Sequence, residues 1–584
     1  MPRKHRVVDH IVEHLAAAGV DHIFGVDGAN IEDLYDAAHF NSDMTAVLAK
    51  HEFSAATMAD GYSRSGAGAG LGVVAATSGG GALNLVAGLG ESLASRVPVL
   101  ALVGQAPAAM DGCGSFQDTC GSNGSLNAEA VFSAVSLFCE RVTTPADVVS
   151  ALPRAIAAAR SGGPAVLLLP KDIQQGCIDV TAHWAARAAH DLRPIGNPRP
   201  IVQVLRGADG PVTIIVGEQV ARDNARAELE ALRAVLRARV ATVPDAKDVA
   251  GTPGCGSSSA LGVTGVMGHP GVAEAVAASA VCLVVGTRLS VTARAGLDDA
   301  LAAVRTVSIG SAPPYVPCTH VHTDDLRGSL RMLTEALSGA GRPTGLRVPD
   351  AVGRTELAPP PYAGAGVRYR DAMAVLDGAL PDGTDIVVDA GNTGASAVHY
   401  LPARRGGRFA VALGMGGMGY SFGAGIGMAF GRANTGRPAG RTVVIAGDGA
   451  FFMHGMEIHT ALHYRLPITF VLLNNNAHAM CVTREQLFYD DLYSYNRFGS
   501  SRLGAGLAAM FPGLTSVDVT ELDRLAPALR TALQADGPAV VSVECAADEI
   551  PPFAPFLNGA PVKASAVEDV SNQEGDRTDV AASA

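Results

Sequence analysis

Thr442-Val443-Val444-Ile445-Ala446-Gly447-Asp448-Gly449 and, after an intervening helical run, Ile468-Thr469-Phe470-Val471-Leu472-Leu473-Asn474-Asn475-Asn476 form the most informative part of this chain. Each begins as a short, mostly apolar run, the pattern of a strand buried on both faces. Between them, from about Met453 to Tyr464, the spacing predicts a helix carrying Gly455, Glu457 and His459. The unit is therefore a strand–helix–strand crossover with a carboxylate just past one strand and amides just past the next. Parallel neighbours bring two such groups together at the carboxyl ends of the strands, where open α/β sheets bind ligands. One carboxylate, one amide oxygen and a backbone carbonyl make half of an oxygen shell. Mg²⁺ suits such a shell, because it keeps several waters or ligand oxygens as well. Gly447 and Gly449 let a bound anion approach the backbone, and the helix that follows points its N-terminus at the same place.

Outward from this unit, helical and strand-like runs alternate over most of the 584 residues. That predicts an α/β protein of three doubly wound parallel-sheet domains. The first segment contains strand-like runs at His22–Val26, Thr45–Ala49, Gly72–Ala76, Val97–Val103 and Pro164–Leu169. The second begins near Pro211 and includes Val281–Val285 and Val304–Ile309; the third runs from about Val367 to Glu544. A polar stretch from Ala185 to Pro200 and the run Pro359-Pro360-Pro361 read as linkers. The expected division is 1–185, 200–345 and 366–556, with a flexible, polar and acidic tail at 557–584. The first and third segments invite comparison as two copies of one fold, which the sequence alone does not establish. With 48% hydrophobic and 17% charged residues, the chain can bury large cores. The net charge of −12 argues against nucleic acid or an anionic membrane as a partner. There is no long apolar run and no signal-peptide core, and the nine cysteines form no CxxC pair. A cytoplasmic protein with reduced thiols is expected.

The Gly-Asp-Gly to Asn-Asn spacing, 27 residues from Asp448 to Asn475, resembles the motif of thiamine-diphosphate-dependent enzymes. The resemblance implies thiamine diphosphate and Mg²⁺ as cofactors, with Asp448, Asn475 and the carbonyl of Ala477 as metal ligands. It places Gly447, Gly449, Ala450, His478 and Met480 around the cofactor. His51-Glu52-Phe53-Ser54-Ala55-Ala56 looks like the segment whose glutamate shares a proton with the aminopyrimidine ring, so Glu52 is the expected catalytic carboxyl. Standing alone, a glutamate there would read as a first-turn residue stabilised by the helix dipole. Gly414 to Gly419 resembles the loop that bends the cofactor, with Met418 as the wedge between its rings and the Gly416 carbonyl as acceptor for its amino group. Asp389 to Ser396 resembles a cofactor loop and offers Asn392, Thr393 and Gly394. Thr77 to Asn84 resembles the glycine-rich stretch at the pyrimidine.

Within that family the chain is most similar to the acetolactate synthase and benzaldehyde lyase branch. Gly104-Gln105-Ala106-Pro107 through Ser115-Phe116-Gln117-Asp118 and Pro170-Lys171-Asp172-Ile173-Gln174 carry the acetolactate synthase likeness. There Gln117 would bond a substrate carbonyl or a cofactor intermediate, and Phe116 would wall the acceptor site. Phe24 to Ile31 looks like benzaldehyde lyase, with Asp27 at that enzyme's histidine position, either a proton shuttle or a turn residue before Gly28. The adjacent histidine pair of pyruvate decarboxylases is absent, and Cys481 stands where they carry a glutamate. Arg484 stands where many acetolactate synthases carry a tryptophan; it either grips an anionic acceptor or faces solvent. Gly262 to Gly268 and Gly286-Thr287-Arg288 resemble the central domain, which in acetolactate synthases can hold FAD; the likeness is too loose to assert flavin. The expected activity is a carboligase that decarboxylates a pyruvate-like 2-oxo acid and passes the acyl group to a second carbonyl compound. A non-oxidative 2-oxo acid decarboxylase, an acyloin lyase and a non-catalytic binding protein of the same fold are the alternatives. A homodimer or homotetramer is implied, since in this family the cofactor lies between the first domain of one subunit and the third of another.

Overall fold

The computed structural model describes residues 5–178, 193–251, 260–338, 354–434 and 440–557. It contains three six-stranded sheets, and every strand pair in them is parallel. The first sheet comprises β1 His22–Val26, β2 Thr45–Leu48, β3 Gly72–Ala76, β4 Val99–Gln105, β5 Phe138–Arg141 and β6 Pro164–Pro170, in the order β2-β1-β3-β4-β6-β5. The second comprises β7 Val212–Val216, β8 Arg239–Thr242, β9 Ala260–Val263, β10 Val281–Val285, β11 Arg305–Gly310 and β12 Thr319–His322. Its order, β12-β11-β10-β7-β8-β9, is that of doubly wound dinucleotide-binding sheets. The third comprises β13 Asp385–Val388, β14 Phe409–Val411, β15 Thr442–Gly447, β16 Ile468–Asn474, β17 Thr515–Val519 and β18 Ala539–Glu544. Its order, β14-β13-β15-β16-β18-β17, repeats the first sheet position for position, so these two domains share one topology.

The strand runs expected from sequence are present, with ends displaced by one or two residues. The helix expected from about Met453 begins earlier: helix Asp448–His454 starts at the carboxylate itself, continues through a 3₁₀ turn Gly455–Glu457, and ends in helix Ile458–His463. Residues 185–192 of the first linker and 558–584 of the acidic tail lie outside the described residues; the linker's described end runs into helix Arg199–Arg206. The last described element is the short helix Ala554–Leu557.

Each sheet is covered on both faces. One core lies on the outer face of the first sheet, one in the second domain and one on the outer face of the third. A fourth core is shared between the first and third domains. Its centre is helix Glu52–Arg64 lying along helix Tyr420–Asn434. The contact needs glycine, because a Cβ at Gly61 would strike the Ala424 carbonyl and one at Gly427 the Met58 carbonyl. Asp60 secures the pair, accepting from Tyr420 OH at 2.5 Å, Arg64 Nε at 2.7 Å and Ser92 Oγ at 2.8 Å. Buried Arg408 ties all three domains together. Its guanidinium donates to Asp248 at 2.7 Å and Glu218 at 3.2 Å in the second, and to the Arg64 carbonyl in the first.

Candidate active site

In the third domain the crevice falls between β13 and β15, where the strand order reverses. Asp448 is the first residue after β15 and is fully buried. Its carboxylate accepts the backbone N–H of Asn475 at 3.3 Å and of Ala477 at 3.0 Å, both just past β16. β15 and β16 are paired in register through Gly447 and Leu473, which is why residues 27 apart in sequence meet here. Burial pushes the Asp448 carboxyl up to about 6, against the pull of those N–H groups. Asn475 Oδ1 is buried and has no hydrogen-bond partner among the described residues, and the same holds for Asn392 Oδ1 beyond β13. Two orphaned acceptors beside a buried carboxylate are what a cation-binding crevice would show. Among the described residues no group of three or more His, Cys, Asp or Glu side chains gathers to hold a metal. The available donor set is instead one carboxylate with amide and carbonyl oxygens, and it fits Mg²⁺.

The other candidates of this domain surround that point. Gly449 lies under His478 and Met418: a Cβ there would come within 2.6 Å of the imidazole and 3.0 Å of the Met418 methyl. Gly447 lies beside Thr393, whose Oγ1 would be 3.5 Å from an added Cβ, and Gly394 packs on the Asp389 carbonyl. Ala450 is buried in the first turn of the helix at Asp448. His478 meets Phe498 edge-on at 4.7 Å, and half-buried Met480 packs on the outer core. Gly416 adopts a φ of 65°, and Met418 is half-buried. The loop they occupy is held by Asp389, whose carboxylate accepts from Gly419 N at 3.0 Å and Ser421 N at 2.9 Å.

In the first domain a second group gathers at the equivalent end of its sheet. Glu52 is the first residue of helix Glu52–Arg64 and is 8% exposed. Its Oε2 accepts from Asn84 Nδ2 at 2.9 Å, and its Oε1 would lie 3.0 Å from a Cβ at Gly81. Gln117 Oε1 lies 3.4 Å from Thr77 Oγ1 and 3.3 Å from Ser78 Oγ, both of which can donate to it. Gln117 holds a left-handed φ of 59°, a conformation that non-glycine residues keep mainly where their surroundings impose it. Asp27 is exposed and its carboxylate accepts from Gly28 N at 2.7 Å, the bond of a turn residue. Phe116 is 79% exposed. Arg484 has no carboxylate at ion-pair distance among the described residues; it lies over Phe556 at 5.9 Å and 3.9 Å from Cys481 Sγ.

No hydrogen bond or ion pair among the described residues joins Glu52 or Gln117 to Asp448, Asn475 or Met418. Cavities of about 630 and 680 Å³ lie beside the second domain, and neither is lined by Glu52 or Asp448. What joins the domains near the candidate residues is a pair of acids absent from the expected set. Glu457 accepts the N–H of Lys50 and His51, just before Glu52. Glu91 accepts those of Gly414, Met415 and Gly416, just before Met418. Glu91 was detectable as the lone charged residue in the mostly apolar helix Val86–Ala94.

Three sequence models of thiamine pyrophosphate enzymes match the chain in order: the N-terminal TPP binding domain at 5–126, the central domain at 199–337 and the C-terminal TPP binding domain at 389–543. The chain belongs to the family of thiamine-diphosphate-dependent enzymes that make or break carbon–carbon bonds. It is similar to the large subunit of acetolactate synthase isozyme 2 of Escherichia coli, with 28% identity over 553 residues, covering 91% of this chain and 94% of that protein. It is 27% identical over 575 residues to chloroplastic acetolactate synthase 3 of Brassica napus, covering 93% of this chain and 84% of that one. In fold it resembles benzoylformate decarboxylase from Polynucleobacter necessarius, with a TM-score of 0.79 at 20% identity over 94% of this chain and all of that one. No helix among the described residues is long and apolar enough to cross a membrane.

Proposed function

We propose that this chain is a thiamine-diphosphate- and Mg²⁺-dependent carboligase. It would decarboxylate a pyruvate-like 2-oxo acid and join the remaining acyl unit to a second carbonyl compound. The observation that carries the reading is similarity to acetolactate synthases across more than nine-tenths of the chain. The buried Asp448–Asn475 pair supports it from the side of the site.

In this reading Asp448, Asn475 Oδ1 and the Ala477 carbonyl hold Mg²⁺, and the N-terminus of helix Asp448–His454 faces the diphosphate. Thiamine diphosphate, when bound, supplies a carbanion equivalent that takes up an acyl group and hands it on. Glu52 holds a proton at its carboxyl against the aminopyrimidine ring, with Asn84 fixing the other oxygen. Met418 would sit against the cofactor's rings, and the Gly416 carbonyl would accept from its amino group. Gln117, held by its left-handed backbone, presents an amide toward the substrate carbonyl. Phe116 bounds the acceptor side. The site is completed by a second copy of the chain, which brings the Glu52 group of one subunit to the Asp448 group of the other.

The test follows ¹³C-labelled pyruvate by NMR with the holoenzyme, with and without an added aldehyde or second 2-oxo acid. Labelled acetolactate or a mixed acyloin is the expected product. Labelled acetaldehyde alone would replace this reading with a decarboxylase, and no turnover of any 2-oxo acid with acyloin cleavage instead would replace it with a lyase.

A further inference from the structure

An asparagine ligand has two unlike ends, and only Oδ1 can bind a cation. Nδ2 carries two protons and, when buried, needs an acceptor. In this chain Asn475 Nδ2 donates to Tyr369 OH at 2.7 Å, while Oδ1 is left buried and unpartnered. Tyr369 is 1% exposed and opens helix Tyr369–Ala379, the element that precedes β13. That helix has no side-chain cap of its own. Glu549, beyond β18, takes the place of one: both its carboxylate oxygens lie 3.2 Å from Tyr369 N. The Glu549 carbonyl in turn accepts from Asn392 Nδ2 at 3.4 Å, so the backbone of Tyr369 is tied through Glu549 to the residues beyond β13.

We propose that Tyr369 is a positioning residue that holds the Asn475 amide with its oxygen turned toward a divalent cation. The inference rests on the reading of Asp448 and Asn475 as cation ligands. The phenol oxygen gives Nδ2 its acceptor and so stabilises the one amide orientation that leaves Oδ1 for the metal. Without it the amide turns over more freely and offers N–H to the cation for part of the time.

The experiment uses the full chain with thiamine diphosphate and Mn²⁺ as the probe, reading free Mn²⁺ by electron paramagnetic resonance. Tyr369→Phe keeps the ring and its packing and removes only the oxygen. It should raise the Mn²⁺ Kd roughly tenfold or more, the size usual for losing a partner that orients a metal ligand, while the protein still unfolds in one cooperative transition, at a slightly lower temperature for the amide N–H left without its acceptor. An unchanged Kd overturns the inference. Asp448→Ala is the reference: if it binds Mn²⁺ as the wild type does, the ligand assignment itself is wrong, whereas loss there with no change in Tyr369→Phe sinks only the role of Tyr369. Asn475→Asp gives the second arm. A carboxylate has two equivalent oxygens and needs no such orientation, so adding Tyr369→Phe to Asn475→Asp should leave the Kd almost where Asn475→Asp put it. A further tenfold loss in that background would make Tyr369 a packing residue and nothing more.

Discussion

Glu457 Oε1 accepts the backbone N–H of His51 at 3.0 Å and, with the same oxygen, that of Lys50 at 2.7 Å. A side chain of the third domain thus holds the residues immediately before Glu52 in the first. Thr460 Oγ1 donates to the other oxygen at 2.9 Å, and burial pushes the Glu457 carboxyl up. Replacing Glu457 by Ala would leave two N–H groups unsatisfied, at a cost of roughly 2–4 kcal/mol. Glu457→Gln keeps the one oxygen that serves both N–H groups and turns its NH₂ toward Thr460 Oγ1, which can accept it, so it should lose only a small part of that. Urea denaturation would read both, and an Ala variant as stable as wild type would show that water replaces the carboxylate freely.

Glu52 has a different expected signature. Its Oε2 already receives the Asn84 amide, and a glutamine can keep that acceptor while losing the exchangeable proton. Glu52→Gln should therefore melt with the wild type while turnover falls roughly 10²- to 10⁴-fold, the range for removal of a general acid–base group. Unchanged turnover would refute the assignment.

The proposed function takes the Glu52 group of each site from one subunit and the Asp448 group from another, which gives a prediction about assembly. If each site is built from two subunits, a Glu52→Gln protomer and an Asp448→Ala protomer fail for complementary reasons. Unfolded together and refolded as a mixture, half of the dimers would be mixed, and one site in each mixed dimer would be intact. About a quarter of wild-type activity should return in a dimer of two equivalent sites. Activity that stays at the level of the separate variants would mean that the site is completed within one chain.

The alternating pattern made the three sheets legible, and the Asp448 and Asn475 runs could be placed because adjacent parallel strands bring their ends together wherever they lie in sequence. The shared order of the first and third sheets was not legible, since strand order depends on which apolar edges meet rather than on local pattern. Glu457 reaches back 406 residues to His51, and Tyr369 lies 106 residues from Asn475, so neither partnership leaves any local trace. The early start of the helix at Asp448 was missed for a related reason. Gly449 carries a weak helix propensity, and the residues it packs under, Met418 and His478, lie elsewhere in the sequence.

His269 offers a measurable pH dependence away from the site. Its Nδ1 accepts the Val263 N–H at 3.0 Å, and its ring stacks on His399 at 4.6 Å. Burial pushes its pKa down to about 3, with His399, Lys247 and Arg354 adding repulsion. The folded pKa lies below the unfolded value of about 6.5, so the unfolded chain takes up the proton first. The stability this residue contributes is whole above pH 6.5 or so and drains away as pH falls toward about 3. By about pH 4.5 the loss from this one group should approach roughly 2.5 kcal/mol. His269→Gln removes the titration, so its unfolding free energy should fall less between about pH 7 and 4.5 than that of the wild type, whatever the variant loses at neutrality. Denaturant melts at the two pH values give the comparison. Equal acid losses in the two proteins would place the acid sensitivity on other buried groups.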